Sequence, residues 1–179
     1  MKSLPRSIQI SPTDGLLTDD INKDGNMDVM MVGNSYANDG FVGRDDAGSG
    51  ACLLGDGKGS FQYVGNDKTG FRADKDAKSI GSILVGSEEY LMISNNNGPV
   101  ESYRFKRDST IVFHKLNPMD AYAMITLRDG IKYKQEFYYG GSYLAQSSRY
   151  LKINPNMEHI VVVQYNGTSR TLDAHVTAK

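Results

Sequence analysis

The 179-residue sequence has little of what several protein classes need. Its one cysteine, Cys52, leaves no partner for an internal disulfide, and its apolar neighbours favour a buried, unreactive thiol. There is no tryptophan, and no apolar run approaches the roughly 18 residues that a membrane-spanning helix requires. The first ten residues lack the apolar stretch of a signal peptide. We therefore expect either a cytoplasmic protein or a piece of a longer exported one.

An excess of charge of one sign is also missing. Twenty basic and 21 acidic residues give a formal net charge of -1, which provides no basic field to attract nucleic acid or an anionic membrane. His114, His159 and His175 lie far apart, without the spacing of metal ligands. These absences argue against a nucleic-acid partner and against an enzyme.

The sequence does contain 19 glycines and 17 tyrosines and phenylalanines, in short alternating runs separated by turn signals such as Asp129-Gly130 and Asn166-Gly167. This pattern predicts an all-β protein. We predict one helical turn, near Asp74 to Lys78. The predicted strands cover 16–17, 27–32, 51–54, 61–64, 82–85, 89–94, 100–105, 111–114, 121–127, 131–139, 150–153, 159–165 and 169–172.

Part of the chain repeats itself. The segment Met27 to Asn34 aligns with Glu89 to Asn96, and a strand precedes and follows each of them. A sheet of three or four strands that recurs in this way is typical of propeller blades, of which a closed propeller has about four to eight. We predict a partial β-propeller of about two blades over 14–107, after a lead-in over 1–13. Paired hairpins predict a small β-sandwich-like domain over 108–179.

The sharpest motif is an acidic loop with oxygen-bearing residues at alternate positions. Calcium takes six to eight hard oxygen ligands, and alternate residues of a tight loop can supply them. Gly25, at the sixth position, permits the sharp turn that such a loop needs. We expect calcium to be bound by four side chains and the Asn26 backbone carbonyl. The predicted ligands are Asp20, Asn22, Asp24, Asn26 and Asp28.

This loop is not an EF-hand. An EF-hand has a bidentate glutamate at position 12 between two helices, whereas position 12 here is Met31 and a strand follows directly. At the corresponding place in the second repeat, Val85 to Glu88 form a plain hairpin turn. We therefore expect one structural calcium ion in the two blades.

These residues resemble a known family. The acidic loop, together with Leu53 to Phe61, resembles the FG-GAP/VCBS propeller repeat, and Gly43 to Ala47 is similar to a stretch in surface proteins of the Bacteroidetes type. Ser94 to Val100 looks like a last blade. Tyr139 to Arg149 is similar to the glycine-rich core of the ASPIC/UnbV domain of cartilage acidic protein relatives, where Ala145 departs from the usual serine. The resemblance covers roughly residues 14–172.

The resemblance implies an exported protein with further propeller blades upstream, at the cell surface or on the outer membrane. We expect a non-catalytic, calcium-binding surface module for protein or glycan binding and assembly, with the remaining blades or another chain as a partner. The long, Gly- and Asp-rich segment 34–49 is a candidate recognition loop, and the many tyrosines are a candidate binding platform. The alternative is part of a polysaccharide lyase, with Lys23, Arg44 or Lys58 as the basic residue near calcium.

Overall fold

The computed structural model describes residues 3–106 and 108–174. Their regular secondary structure consists of antiparallel strands apart from one 3-10 turn and one short helix, which confirms the predicted all-β class. The chain divides into two compact units, one of Met1–Phe105 with Gly140–Ser147, the other of Lys106–Tyr139 with Ser148–Lys179. The segment 140–147, which the sequence assigns to the C-terminal domain, is thus grouped with the first unit. No helix in the described ranges is long and apolar enough to cross a membrane.

The first unit contains two sheets, each a simple meander. One is four-stranded in the order β1-β2-β3-β4, and the other is three-stranded in the order β5-β6-β7. The strands are β1 (Gly15–Asp19), β2 (Asp28–Val32), β3 (Ala51–Gly55), β4 (Phe61–Val64), β5 (Ala77–Val85), β6 (Glu88–Asn95) and β7 (Glu101–Arg104). A 3-10 turn, Arg6–Ile8, precedes β1, and the short helix α1 (Asn66–Thr69) follows β4.

The core of this unit forms because β2 and β6 alternate between buried and half-buried positions. Met30 and Val32 of β2 pack in one cluster with Leu91 and Ile93 of β6. Such alternation is what a sheet with one covered face requires. Period-two patterning therefore fixes which face of each sheet is buried.

The second unit has a four-stranded sheet in the order β10-β9-β12-β13 and a two-stranded sheet of β11 and β8. Both sheets contribute to one core, in which Ile125, Leu151 and Ile160 are fully buried. The strands are β8 (Val112–Lys115), β9 (Asp120–Leu127), β10 (Lys132–Glu136), β11 (Tyr150–Ile153), β12 (Met157–Gln164) and β13 (Ser169–Leu172).

The predicted helical turn near Asp74 to Lys78 is wrong. The short helix lies earlier, at Asn66–Thr69, and Ala77 already begins β5. The Lys78 ammonium is drawn into a tertiary cluster, where it contacts Asp76 Oδ1 at 2.8 Å and Asp14 Oδ2 at 2.9 Å. These contacts hold the segment in an extended conformation. A prediction from neighbouring residues alone could not include the contact with Asp14, which is far from Lys78 in the sequence.

Candidate functional site

The acidic loop connects β1 to β2, where Asp19 pairs with Asp28 at the base of the hairpin. The loop reverses sharply because Lys23 and Gly25 both adopt left-handed backbone conformations, with φ of 66° and 87°. Glycine adopts this conformation without steric cost. Gly25 therefore has the role in the turn that the sequence assigned to it.

Asp28 anchors the loop to the sheet. Its carboxylate is fully buried, and Oδ1 accepts a hydrogen bond from the Gly55 amide at 2.8 Å. Oδ2 accepts from the amides of Ile21 at 2.8 Å and Asn22 at 3.3 Å. One side chain thus ties the start of the acidic loop to the end of β3.

Asp20 has one oxygen in use and one without a partner. Oδ2 accepts from the Gly25 amide at 3.0 Å, whereas Oδ1 is buried and accepts no hydrogen bond. Burial raises the pKa of the Asp20 carboxyl above its usual value and repulsion from Asp24 and Asp28 adds to this, while hydrogen bonds from the backbone at Gly25 and Lys23 oppose it. A buried acceptor with no partner costs about 1–3 kcal/mol. A cation beside Oδ1 would relieve both the missing contact and the repulsion.

The remaining predicted ligands bond to one another at the loop surface. Asn22 Oδ1 accepts from the Asp24 amide at 3.1 Å, and Asp24 Oδ1 accepts from the Asn26 amide at 2.8 Å. The Asn22 side-chain amide also donates to Asp24 Oδ2 at 2.9 Å. The Asn26 side chain lies against Gly57 in the β3–β4 turn, in the space that a Cβ at residue 57 would occupy. The loop is therefore a series of local turns braced by the neighbouring hairpin.

The donor set fits calcium in its chemistry. Among residues 3–106 and 108–174, no group of three or more His, Cys, Asp or Glu side chains is placed to hold a metal ion. The predicted set includes three aspartates, Asp20, Asp24 and Asp28, so the structure does not bring these three carboxylates together as a metal-holding group. Binding requires Asn22 and Asp24 to exchange their mutual hydrogen bond for metal contacts.

The basic residues named for a lyase are not gathered in one place. Lys23 is in the acidic loop and Lys58 in the adjacent β3–β4 turn, but Arg44 lies in the β2–β3 connection at the other end of the sheet. There its guanidinium stacks on the Tyr36 ring, 4.6 Å from the centroid. His114 is in β8 and His159 in β12, two strands that do not pair with each other, and His175 lies outside the described residues.

The sequence analysis did not predict a buried asparagine at the β2–β3 connection that hydrogen-bonds to several segments of the chain. Asn34 is fully buried, and its side-chain amide donates to the carbonyls of Gly48 and Lys75, each at 2.9 Å. Its Oδ1 accepts from the Gly48 amide at 3.0 Å and from the Ser11 hydroxyl at 2.5 Å. The partners lie up to 41 residues away, so the local pattern carries no signal for them.

The second unit contains a buried ion pair that the sequence analysis did not predict. Asp120 is fully buried, and its carboxylate is held by both terminal nitrogens of Arg170, one of them at 2.6 Å, and by the Asn117 amide at 2.8 Å. The Arg170 guanidinium holds the pKa of the Asp120 carboxyl below its usual value. Nearby, Arg149 donates to the carbonyls of Asn117, Pro118 and Asp120. Both arginines have structural contacts here.

Comparison with known proteins finds no matching family model, no matching curated protein and no matching solved structure.

Proposed function

We propose that this chain is a non-catalytic, calcium-stabilised binding and assembly module, with the acidic loop as its metal site. The observation that carries the metal site is the buried, unpartnered Oδ1 of Asp20 in a loop whose five predicted donors are all hard oxygens. When bound, calcium would be held by Asp20, Asn22, Asp24, the Asn26 carbonyl and Asp28. Its contribution is to neutralise clustered carboxylates and to rigidify the loop.

The strand order supports a propeller-like origin for the first unit. Each of its sheets is an antiparallel meander in chain order, as in a propeller blade. The acidic loop joins the first two strands of one sheet, whereas Gly86 and Ser87 make a tight turn at the same place in the other. We therefore retain the FG-GAP-like assignment as a proposal, and with it an exported protein that binds proteins or glycans at the cell surface.

The test is thermal unfolding of the full chain in a chelator and at increasing concentrations of calcium. A ligand that binds only the folded state adds roughly 2.7 kcal/mol when its free concentration is a hundredfold above the dissociation constant. We expect the midpoint to rise continuously with calcium and to respond much less to magnesium, which demands a smaller, nearly octahedral site. Isothermal titration calorimetry should give about one ion per chain.

Asp46→Asn is the matched control, because Asp46 is an exposed aspartate in the β2–β3 connection and not in the acidic loop. This variant should keep the full calcium response. An unchanged midpoint for the original chain at millimolar calcium, with no heat of binding, would reject the metal site.

A further inference from the structure

The sequence contains two Asn-Gly dipeptides, and both lie in connections between antiparallel strands. Asn97-Gly98 lies between β6 and β7, and Asn166-Gly167 lies between β12 and β13. All four residues are exposed. An asparagine followed by glycine is chemically labile in water, because glycine has no Cβ to shield its backbone nitrogen from the asparagine side chain. The molecule therefore presents the same labile group in two different backbone settings.

Hydrogen bonds hold the atoms of Asn166-Gly167 that would react. The Gly167 amide, whose nitrogen would be the nucleophile, donates to the Gln164 carbonyl at 2.9 Å. The side-chain oxygen of Asn166 accepts from the Thr168 amide at 3.0 Å. The Thr168 hydroxyl lies 2.8 Å from the same oxygen and 2.9 Å from Gln164 Oε1. This turn must open before the Gly167 nitrogen can attack the side chain.

The Asn97-Gly98 dipeptide lacks these restraints. Thr168 stands two residues after Asn166, whereas the residue two places after Asn97 is Pro99, which has no N–H to donate. Among residues 3–106 and 108–174, no hydrogen bond involves the Asn97 side chain or the Gly98 amide. The nucleophile and the carbon that it would attack are therefore both unrestrained by hydrogen bonds.

The turn that contains Asn97 is fixed through its neighbours. The Asn96 amide donates to the Asp76 carbonyl, and the Asn95 side chain donates to the Pro99 carbonyl, each at 2.8 Å. Asn97 itself has a left-handed backbone, with φ of 50°, which asparagine tolerates better than most residues. Neither of the two hydrogen bonds is made by an atom that takes part in the reaction.

We propose that Asn97 is the site at which this chain deamidates spontaneously in water, and that the fold protects Asn166. The Gly98 nitrogen gives its proton to hydroxide, attacks Cγ of Asn97 and forms a carbon–nitrogen bond. The bond from Cγ to the side-chain nitrogen breaks, and that nitrogen takes a proton from water and leaves as ammonia. Water then adds to either carbonyl of the cyclic succinimide and opens the ring, which leaves aspartate or isoaspartate at residue 97.

The reaction changes the β6–β7 turn in charge and in length. Both products add a negative charge, and isoaspartate also inserts the side-chain methylene into the backbone between the two strands. The flanking side chains already have acidic partners, since Asn95 donates to Glu101 Oε2 at 3.2 Å and Asn96 donates to Asp76 Oδ2 at 2.9 Å. This modification needs neither calcium nor a partner, so it goes beyond the proposed function and does not depend on it.

Timed incubation of the full chain at mildly alkaline pH, followed by proteolysis and mass spectrometry, tests the proposal. Water labelled with heavy oxygen marks the products, and electron-transfer fragmentation separates isoaspartate from aspartate. We expect the peptide with Asn97 to react roughly tenfold or more faster than the peptide with Asn166, because several hydrogen bonds must open before Asn166 reacts.

The same chain in concentrated urea is the matched control, since unfolding removes the hydrogen bonds that distinguish the two dipeptides. The two rates should then approach each other, mainly through faster reaction at Asn166. Gly98→Ala should slow the reaction at Asn97 in the folded chain and in urea, because the added Cβ shields the nucleophile. The backbone at Gly98 is not left-handed, so alanine is compatible with it.

Three results would overturn the proposal. Equal rates in the folded chain would show that the fold does not distinguish the dipeptides. Faster reaction at Asn166 would show that the Thr168 donors activate its side-chain carbonyl instead of restraining it. A difference that persists in urea would assign the rates to the following residue and not to the fold.

Discussion

Two fully buried aspartates, Asp28 in the first unit and Asp120 in the second, are stabilised in different ways, although a third, Asp76 in the first unit, is also paired with a cation, Lys78. Asp120 in the second unit is paired with the Arg170 guanidinium. Asp28 in the first unit is hydrogen-bonded to three backbone amides, which carry no formal charge. A nearby aspartate, Asp20, keeps one buried oxygen without a partner.

The difference concerns where the acidic loop and the buried Asp120 obtain their positive charge. The second unit carries its counter-charge in the sequence, so its stability should be independent of metal ions. The acidic loop of the first unit contains three aspartates, and the pKa of Asp20 is raised mainly by burial and additionally by repulsion from the other two. We infer that this loop takes its counter-charge from solution.

The largest expected effect comes from removing the internal cation. Arg170→Ala leaves the buried Asp120 carboxylate without its partner, and loss of one member of a buried pair costs about 3 kcal/mol or more. Hydrogen exchange measured by mass spectrometry should show faster exchange in β9 and β12, with or without calcium. Arg104→Ala is the control, since Arg104 is 64% exposed in its pair with Glu88, and it should change stability by less than about 1 kcal/mol. Equal effects of the two changes would contradict the comparison.

A smaller effect, with a sign that depends on calcium, is expected for Asp20→Asn. In a chelator the change removes repulsion while an amide oxygen can still accept from the Gly25 amide, so the melting temperature should stay equal or rise. With saturating calcium the variant loses a charged ligand and should lose most of the roughly 2.7 kcal/mol gained by the original chain at hundredfold excess. Equal destabilisation in both conditions would indicate a purely structural role for Asp20.

The smallest effects concern pH in the absence of calcium. The pKa of Asp120 is lowered in the folded state, so its contribution is present above the unfolded value of about 3.9 and is lost as pH falls through the folded pKa. The pKa of Asp20 is raised, so its penalty is present above the folded pKa and disappears as pH falls toward about 3.9.

Carboxyl carbon titrations by NMR should therefore place these two aspartates on opposite sides of the unfolded value. Mild acidification should relieve the repulsion in the acidic loop before further acidification weakens the pair of Asp120 and Arg170. Calcium should lower the apparent pKa of Asp20 and leave that of Asp120 unchanged. The same direction of shift for both groups would remove the basis of the comparison.

Most of the strands could be predicted because each is short, alternating and bounded by turn residues. The sequence predicted 51–54, 61–64 and 150–153, and the structure places β3, β4 and β11 there to within one residue. The ends are less predictable where tertiary contacts decide them. β10 ends at Glu136, although the apolar pattern continues to Tyr139; the Phe137 amide still bonds to the Ala121 carbonyl of β9, so the pairing stops soon after it.

Some features of the buried and acidic sites could likewise be predicted from the sequence, and others could not. The positions of Asp20, Gly25 and Asp28 follow a local spacing, so the sequence could indicate them. The bond between Asp28 and the Gly55 amide spans 27 residues, and the pair of Asp120 and Arg170 spans 50. The spacing of residues along the sequence does not predict contacts between residues that become neighbours only when the sheets form.

The single cysteine has a consequence for measurement. Cys52 is buried in β3, and burial raises the pKa of its thiol, with a further contribution from Asp28. Alkylating reagents attack the thiolate, so they must wait until the strand is transiently exposed. Because the second unit has no cysteine, the rate of alkylation measures how often the first unit opens and is insensitive to opening of the second.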